Sequence, residues 1–231
     1  MIQTIKSNKI GSLNESSLHL QLKTLYAGTN GLVEQKLNGF FIDVVKDDEL
    51  IEIQTKNFSQ IKEKLSILLE NGYSIRLVYP LIRNKNLILV KSDSNLIKRR
   101  SPKTNNLFFI FNELIYITDL LKHKNFIFEV LMVSVNEYRI LKRKNNKKSG
   151  FTTIDRNLLT IEKKFSFKTP QDFLFMLPYT LEQNFSTKDV MKTLELNYSL
   201  ASKVCYVFAK LELIKVSGKI GNTKLYNYLI H

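Results

Sequence analysis

Two apolar, β-branched runs separated by a short polar turn constrain this chain more than any other feature. Phe40-Phe41-Ile42-Asp43-Val44-Val45 and Glu49-Leu50-Ile51-Glu52-Ile53-Gln54-Thr55 favour extended backbone, and Lys46-Asp47-Asp48 between them supplies turn chemistry. The first strand is expected over Leu37 to Val45 with a kink at Gly39, the second over Glu49 to Thr55. Phe58, Ile61, Leu65, Leu68 and Leu69 then recur at helical spacing as far as Asn71-Gly72, a helix-end signal. Ser74 to Tyr79 and Leu87 to Val90 read as further strands, Phe108 to Leu121 as a helix, and Phe126 to Val135 as a strand. Upstream, Leu18, Leu20, Leu22, Leu25 and Tyr26 predict a helix stopped by Gly28 and Gly31. A hairpin, a crossover helix and a returning strand imply a mixed sheet, so the fold class is α/β.

The hairpin also carries the sharpest chemistry. Strand side chains alternate faces, so Glu52, Gln54 and Lys56 are expected on one side and Ile51 and Ile53 on the other. Asp43 lies across the turn near Glu52, between Ile42 and Val44. An acid in such an apolar strand is unfavourable unless paired, hydrogen-bonded or bound to a metal. Two converging carboxylates make a hard-oxygen site suited to Mg²⁺ or Mn²⁺, an ion able to activate water beside a phosphoryl group. His19, on an otherwise apolar helix, reads as a satisfied core residue, and Asn14-Glu15-Ser16-Ser17 as helix capping.

The order helix, Asp on one hairpin strand, Glu-x-(Lys) on the next, then helix and strand, resembles the PD-(D/E)XK nuclease superfamily over roughly residues 12–135. That resemblance implies a restriction-endonuclease-like core in which Asp43 and Glu52 bind the divalent ion, with Glu15 as the additional acid from the first helix. The family's Lys position holds Gln54 here, with Lys56 one same-face step farther on, so either residue is a candidate for positioning the attacking water. The segments Ile51 to Phe58, Leu77-Val78-Tyr79-Pro80 and Arg100-Ser101-Pro102-Lys103 also resemble a prokaryotic family of unassigned activity, which implies no substrate.

A polar basic stretch, Leu141-Lys142-Arg143-Lys144-Asn145-Asn146-Lys147-Lys148-Ser149-Gly150, divides the chain. The expected units are a nuclease-like domain over 1–140, a basic linker and connecting strand over 141–168, and a small domain over 169–231. In the last, Thr169-Pro170 opens a short helix through Leu177, Ser186 caps a second, and Ser199 to Leu211 buries Ala201, Val204, Cys205, Phe208 and Leu211 at helical spacing. Two strands follow, Leu213 to Val216 and Lys224 to Leu229, joined by a loop over 217–223. This order resembles a winged helix-turn-helix, which implies that Tyr198, Ser199, Ser202, Lys203 and Tyr206 face a DNA major groove and that Lys219 and Lys224 contact phosphates.

The net charge of +14, from 35 Lys and Arg against 21 Asp and Glu, favours a polyanionic partner, and a second basic stretch places Lys98, Arg99, Arg100 and Lys103 in a loop able to grip a DNA backbone. A single cysteine, Cys205, excludes a disulfide framework. The N-terminus lacks a signal-peptide pattern and no apolar run is long enough to span a bilayer, so a cytoplasmic location without membrane contact is expected. The leading expectation is a Mg²⁺-dependent DNA endonuclease, with a homodimer suiting double-strand cutting. A non-catalytic DNA-binding regulator or scaffold on a decayed nuclease fold stays open, as does a protein-docking role for the last domain.

Overall fold

Asn38 and Gly39 have φ of 48° and 82°, the left-handed pair that a two-residue hairpin turn requires, so the expected kink is a turn between two strands. They join β1 (Leu32–Leu37) to β2 (Phe40–Lys46), which pair antiparallel. Asp47, with φ 51°, turns β2 into β3 (Glu49–Ile53). The computed structural model describes residues 16–90, 96–141 and 150–229.

From β3 the chain crosses through α2 (Phe58–Glu70) to β4 (Ser74–Val90), parallel to β3. β4 is one 17-residue strand where two short ones were expected. β5 (Leu96–Arg100) pairs antiparallel with its last five residues, on the edge that β3 holds at its start. β6 (Phe126–Leu141) runs parallel to β4, and β7 (Phe151–Phe167) runs antiparallel to β6 along nearly its whole length. The resulting seven-stranded mixed sheet has the order β1-β2-β3-β4-β6-β7 with β5 beside β4. Residues 151–167, read from sequence as a connecting strand, are therefore a full member of the sheet. Residues 108–121 do not form one helix. They make a 3-10 turn (Leu107–Ile110), a single α-turn labelled α3 (Phe111–Leu114) and a second 3-10 turn (Leu120–Lys122). Ile110, Phe111, Leu114, Ile117, Leu120 and Leu121 pack inward without continuous helix geometry.

Each sheet face has its own layer. The first helix, α1 (Ser17–Ala27), packs Leu18 and Leu22 over Val44, Ile51, Ile53, Val78, Leu131 and Val133. On the other face α2 and α3 cover Leu50, Ile75, Leu77 and Phe128. Polar contacts pin α1 along the sheet. The Ser17 N–H donates to Asp155 (2.9 Å), the Leu158 N–H donates to Gln21 (2.8 Å), and the Tyr26 hydroxyl reaches the wholly buried Glu129. Glu129 also accepts from Arg76 (2.6 Å), which forks onto Glu49 through two bonds of 2.8 and 2.9 Å. Burial and the Glu129 carboxylate hold the Tyr26 phenol protonated, its pKa far above the usual range. Gly31 is required: a Cβ there would lie 2.6 Å from Ala27 Cα.

After β7, a 3-10 helix (Pro170–Met176) begins where the Thr169 N–H donates to Asp172 (2.8 Å). Then come β8 (Phe185–Ser186), α4 (Thr187–Thr193) with a Ser186–Asp189 capping box, α5 (Tyr198–Lys210) capped by Asn197, β9 (Ile214–Ile220) and β10 (Thr223–Tyr228). The three strands form a sheet of order β8-β10-β9. The loop expected over 217–223 is mostly strand, and only Gly221-Asn222 form the turn. This unit does not stand apart from the large sheet. Val190, Leu200, Val204 and Phe208 belong to the same buried cluster as Phe111 and Phe173, and Phe111 meets Phe208 edge-to-face at 5.2 Å. Among the described residues no helix is long and apolar enough to cross a membrane.

Candidate active site

Asp43 and Glu52 sit where β2 and β3 part. The β2–β3 register pairs Val45 with Leu50 and Val44 with Ile51, and Asp43 and Glu52 are the next residues, just past the end of that ladder. Alternation along β2 breaks at this point. Ile42 joins the apolar layer under α2 whereas Val44 joins the one under α1, and Glu34, across from Asp43 on β1, has φ 53°.

The two carboxylates interlock with each other's strands. Asp43 Oδ2 accepts the Ile53 N–H (2.8 Å), and the Glu52 carboxylate accepts the backbone N–H of Asp43. They lean toward different helices. On α1, His19 Nε2 lies 3.1 Å from Asp43 Oδ2 and 2.8 Å from the Ile53 carbonyl oxygen, so with two acceptors this nitrogen carries the proton. Lys23 Nζ, buried on the same helix, is 3.5 Å from Asp43 Oδ1 and 2.9 Å from Glu34. On α2, Lys64 donates to both Glu52 and the Phe41 carbonyl.

The two acids consequently differ in strength. Burial raises the Asp43 pKa, but His19, the Ile53 N–H and Lys23 outweigh it and hold the carboxyl below the ordinary carboxylate range. Glu52 is 6% exposed. Burial first, and the Asp43 charge second, push it up to about 7 against the opposing pull of Lys64. Such a split is common where two acids share a site.

The remaining expected site residues fall differently. Strand β3 stops at Ile53, short of the expected Thr55; the Gln54 N–H makes the last rung of the β3–β4 ladder, to the Val78 carbonyl (2.9 Å). The strand that would carry the alternation on to Lys56 ends there. The Gln54 amide donates to the Lys56 carbonyl (2.6 Å), and the Lys56 side chain is exposed beyond the strand end. Glu15 lies outside the described residues. Among those described, no three His, Cys, Asp or Glu side chains group closely enough to hold an ion by themselves. Lys64 was missed by sequence reasoning, although a signal existed: it stands three residues after Ile61 and four before Leu68, a cation on the helix's apolar face. His19 is satisfied as expected, yet it is part of the site.

The basic candidates lie elsewhere. Lys98, Arg99 and Arg100 form an exposed edge strand, not a loop, and Lys103 is exposed just after it. Tyr198, Ser199, Ser202 and Tyr206 are exposed on α5, but Lys203 turns inward and donates to Asn112 Oδ1 (2.7 Å) beside α3. Lys219 and Lys224 are exposed cross-strand neighbours on β9 and β10.

Comparison with known proteins adds kinship without an activity. An uncharacterized protein of Treponema pallidum (strain Nichols) is 27% identical over 187 residues, spanning 80% of this chain and 74% of that one. No solved structure matches the chain. A family model described as a domain of unknown function, DUF8091, matches residues 16–168. That segment holds the whole seven-stranded sheet, α1 to α3, and Asp43, Glu52 and Lys64. With well over half its length matched, the chain belongs to the DUF8091 family.

Proposed function

We propose that this chain is a divalent-metal-dependent DNA endonuclease of the PD-(D/E)XK kind, targeted by a C-terminal winged helix-turn-helix. The observation that carries the reading is the pair Asp43 and Glu52, facing across two strands where they part, each carboxylate bonded to the other strand's backbone. The donor set suits Mg²⁺ or Mn²⁺. Asp43 Oδ2 and the Ile53 carbonyl oxygen both converge on the His19 N–H, an electropositive point between two hard oxygens, and the Glu52 carboxylate, bonded to the Asp43 N–H, is near enough to feel the Asp43 charge. Asp43, Glu52 and the Ile53 carbonyl would hold the ion, which when bound lowers the pKa of water and offsets charge on a phosphoryl group.

This chain's own residues then divide the work. Lys64 replaces the Lys missing from the third motif position: its ammonium approaches Glu52 from α2, not from β3, and positions water against that carboxylate. Lys23 and His19 keep Asp43 ionised and fixed in orientation. Helices α4 and α5 with the β9–β10 hairpin follow winged-helix order, and Tyr198, Ser199, Ser202 and Tyr206 form the exposed face suited to a major groove, with Lys219 and Lys224 on phosphates.

The test is plasmid nicking in Mg²⁺ and Mn²⁺ by wild type and Asp43→Ala. Cleavage should vanish in the variant while duplex affinity stays within about two-fold, since no DNA contact is lost. Equal nicking by both proteins would mean the activity lies elsewhere. One observation favours a second reading, a non-catalytic DNA-binding protein on a decayed site: each carboxylate already has a protein cation, Lys64 on Glu52 and Lys23 on Asp43. Calorimetric titration with Mn²⁺ separates the two, because a decayed site takes up no ion.

A further inference from the structure

Beyond residue 135 the sheet continues as a four-stranded arm made of the far ends of β4, β5, β6 and β7. Leu87, Leu89, Ile97, Arg99, Arg139 and Phe151 come together on it around a cleft of about 250 Å³. The register explains the grouping. Leu87 pairs with Arg99 and Leu89 with Ile97 across β4 and β5, Leu89 pairs with Arg139 across β4 and β6, and Phe151 pairs with Leu141, two residues past Arg139. All six therefore project from one face. The floor is apolar, with Phe151 and Ile97 each 46% exposed, and two guanidinium groups stand at its rim.

The cationic rim is built in. Glu137, wholly buried on this same face, accepts from Arg139 Nε (2.7 Å), Arg156 Nε (2.9 Å) and Lys85 Nζ (3.3 Å). One carboxylate among three cations fixes the direction of Arg139 and leaves the surroundings positive. A small hydrophilic anion would leave the apolar floor unused, and a bilayer surface does not fill a concave cleft of this size. The chemistry that uses both parts is a planar, largely apolar ring flanked by two negative charges.

We propose that the cleft receives one unpaired nucleotide of a single DNA strand, its base against Phe151 and Ile97 and its flanking phosphates on Arg99 and Arg139. This rests on the DNA reading above and adds a substrate class, DNA with single-stranded character. In an intact duplex the base is stacked and would have to be flipped out to enter.

The test is fluorescence anisotropy of the full chain, in chelator so that nothing is cut, on labelled oligothymidine of about 20 nucleotides, longer than the roughly 4–16 that one such surface covers, and on a blunt duplex. The variants are Phe151→Ala, Arg99→Ala and, for comparison, Lys219→Ala/Lys224→Ala. Phe151→Ala should weaken oligothymidine binding about ten-fold, with duplex binding within two-fold of wild type, and Arg99→Ala should lower the slope of log oligothymidine affinity against log salt by about 0.7. Phe151 and Arg99 are exposed, so neither change endangers the fold. Unchanged oligothymidine binding in both variants overturns the proposal. A loss for Arg99→Ala alone, equal on both DNAs, also overturns it, by reducing the arm to a backbone contact. Binding to duplex only, lost in the Lys219/Lys224 variant, overturns the cleft while leaving the proposed function standing. Binding to neither DNA overturns both. Sedimentation with anionic phosphatidylglycerol vesicles, lost in the arm variants while oligothymidine binding is unchanged, reassigns the cleft to lipid.

Discussion

Glu52→Gln, made in the metal-free protein, tests the electrostatics of the candidate site without any assay of activity. The Glu52 carboxyl is raised from an ordinary 4.5 to about 7 because burial and the Asp43 charge penalise its ionised form. A folded-state pKa above the unfolded value means that the native state binds this proton more tightly. The contribution is therefore complete below about pH 4.5 and is lost as pH rises through about 7. The full shift corresponds to about 3 kcal/mol, and between about pH 8 and pH 5.5 this one carboxyl should add about 2 kcal/mol to wild-type stability. Groups common to both proteins cancel in the difference between them. Urea unfolding of wild type and Glu52→Gln at the two pH values gives the difference of differences. The wild-type gain on acidification should exceed the variant's by about 2 kcal/mol, with unchanged m-values. Parallel pH dependence in the two proteins would refute the burial and coupling argued for Glu52, and with it the electrostatic pairing of the two acids.

Two further outcomes follow from the packing. Phe208→Ala should cost about 3–5 kcal/mol, because Phe208 is 1% exposed and meets Phe111 across the contact between α5 and α3. Its urea unfolding should remain a single transition in which both units lose structure together, whereas two separated transitions would contradict the shared core. Glu137 is pulled the other way: burial raises its pKa, but Arg156, Arg139 and Lys85 outweigh it and lower the carboxyl to about 2. Its contribution, about 3 kcal/mol, is present above pH 4.5 and lost as pH falls toward 2, so Glu137→Gln should flatten the acid limb of the stability curve seen by the same denaturation assay.

Residues with periodic apolar content were legible in sequence, and those governed by tertiary pairing were not. α1, α2 and α5 follow from the spacing of their apolar residues, and α4 from its cap at Ser186. β1 was overlooked although Asn38-Gly39 is a strong hairpin signal, because Leu32 to Leu37 carries three polar residues in a row, Glu34-Gln35-Lys36, and is mostly exposed, as suits an edge strand. Phe108 to Leu121 misled because buried 3-10 turns and a buried helix place apolar residues at similar density. β7 reads poorly because few of its side chains are buried; it is held by pairing with β6 more than by a core of its own.

The site divides along the same line. Asp43 beside Glu52 was readable because a tight turn fixes register: with Lys46 paired to Glu49, Val45 to Leu50 and Val44 to Ile51, residues 43 and 52 come next, where the ladder ends. Lys56 was not, since counting alternate residues assumes a strand that continues, and this one ends at Ile53. Lys64 reaches Glu52 only because α2 folds back over the hairpin it follows, a contact that no periodicity within β3 encodes. If the ammonium needed beside the acidic pair has moved from strand to helix, then Lys64→Met should remove cleavage as completely as Asp43→Ala, while Lys56→Met leaves it near wild type. The reverse pattern would return the role to β3's end and leave Lys64 as a structural counter-ion for a buried acid.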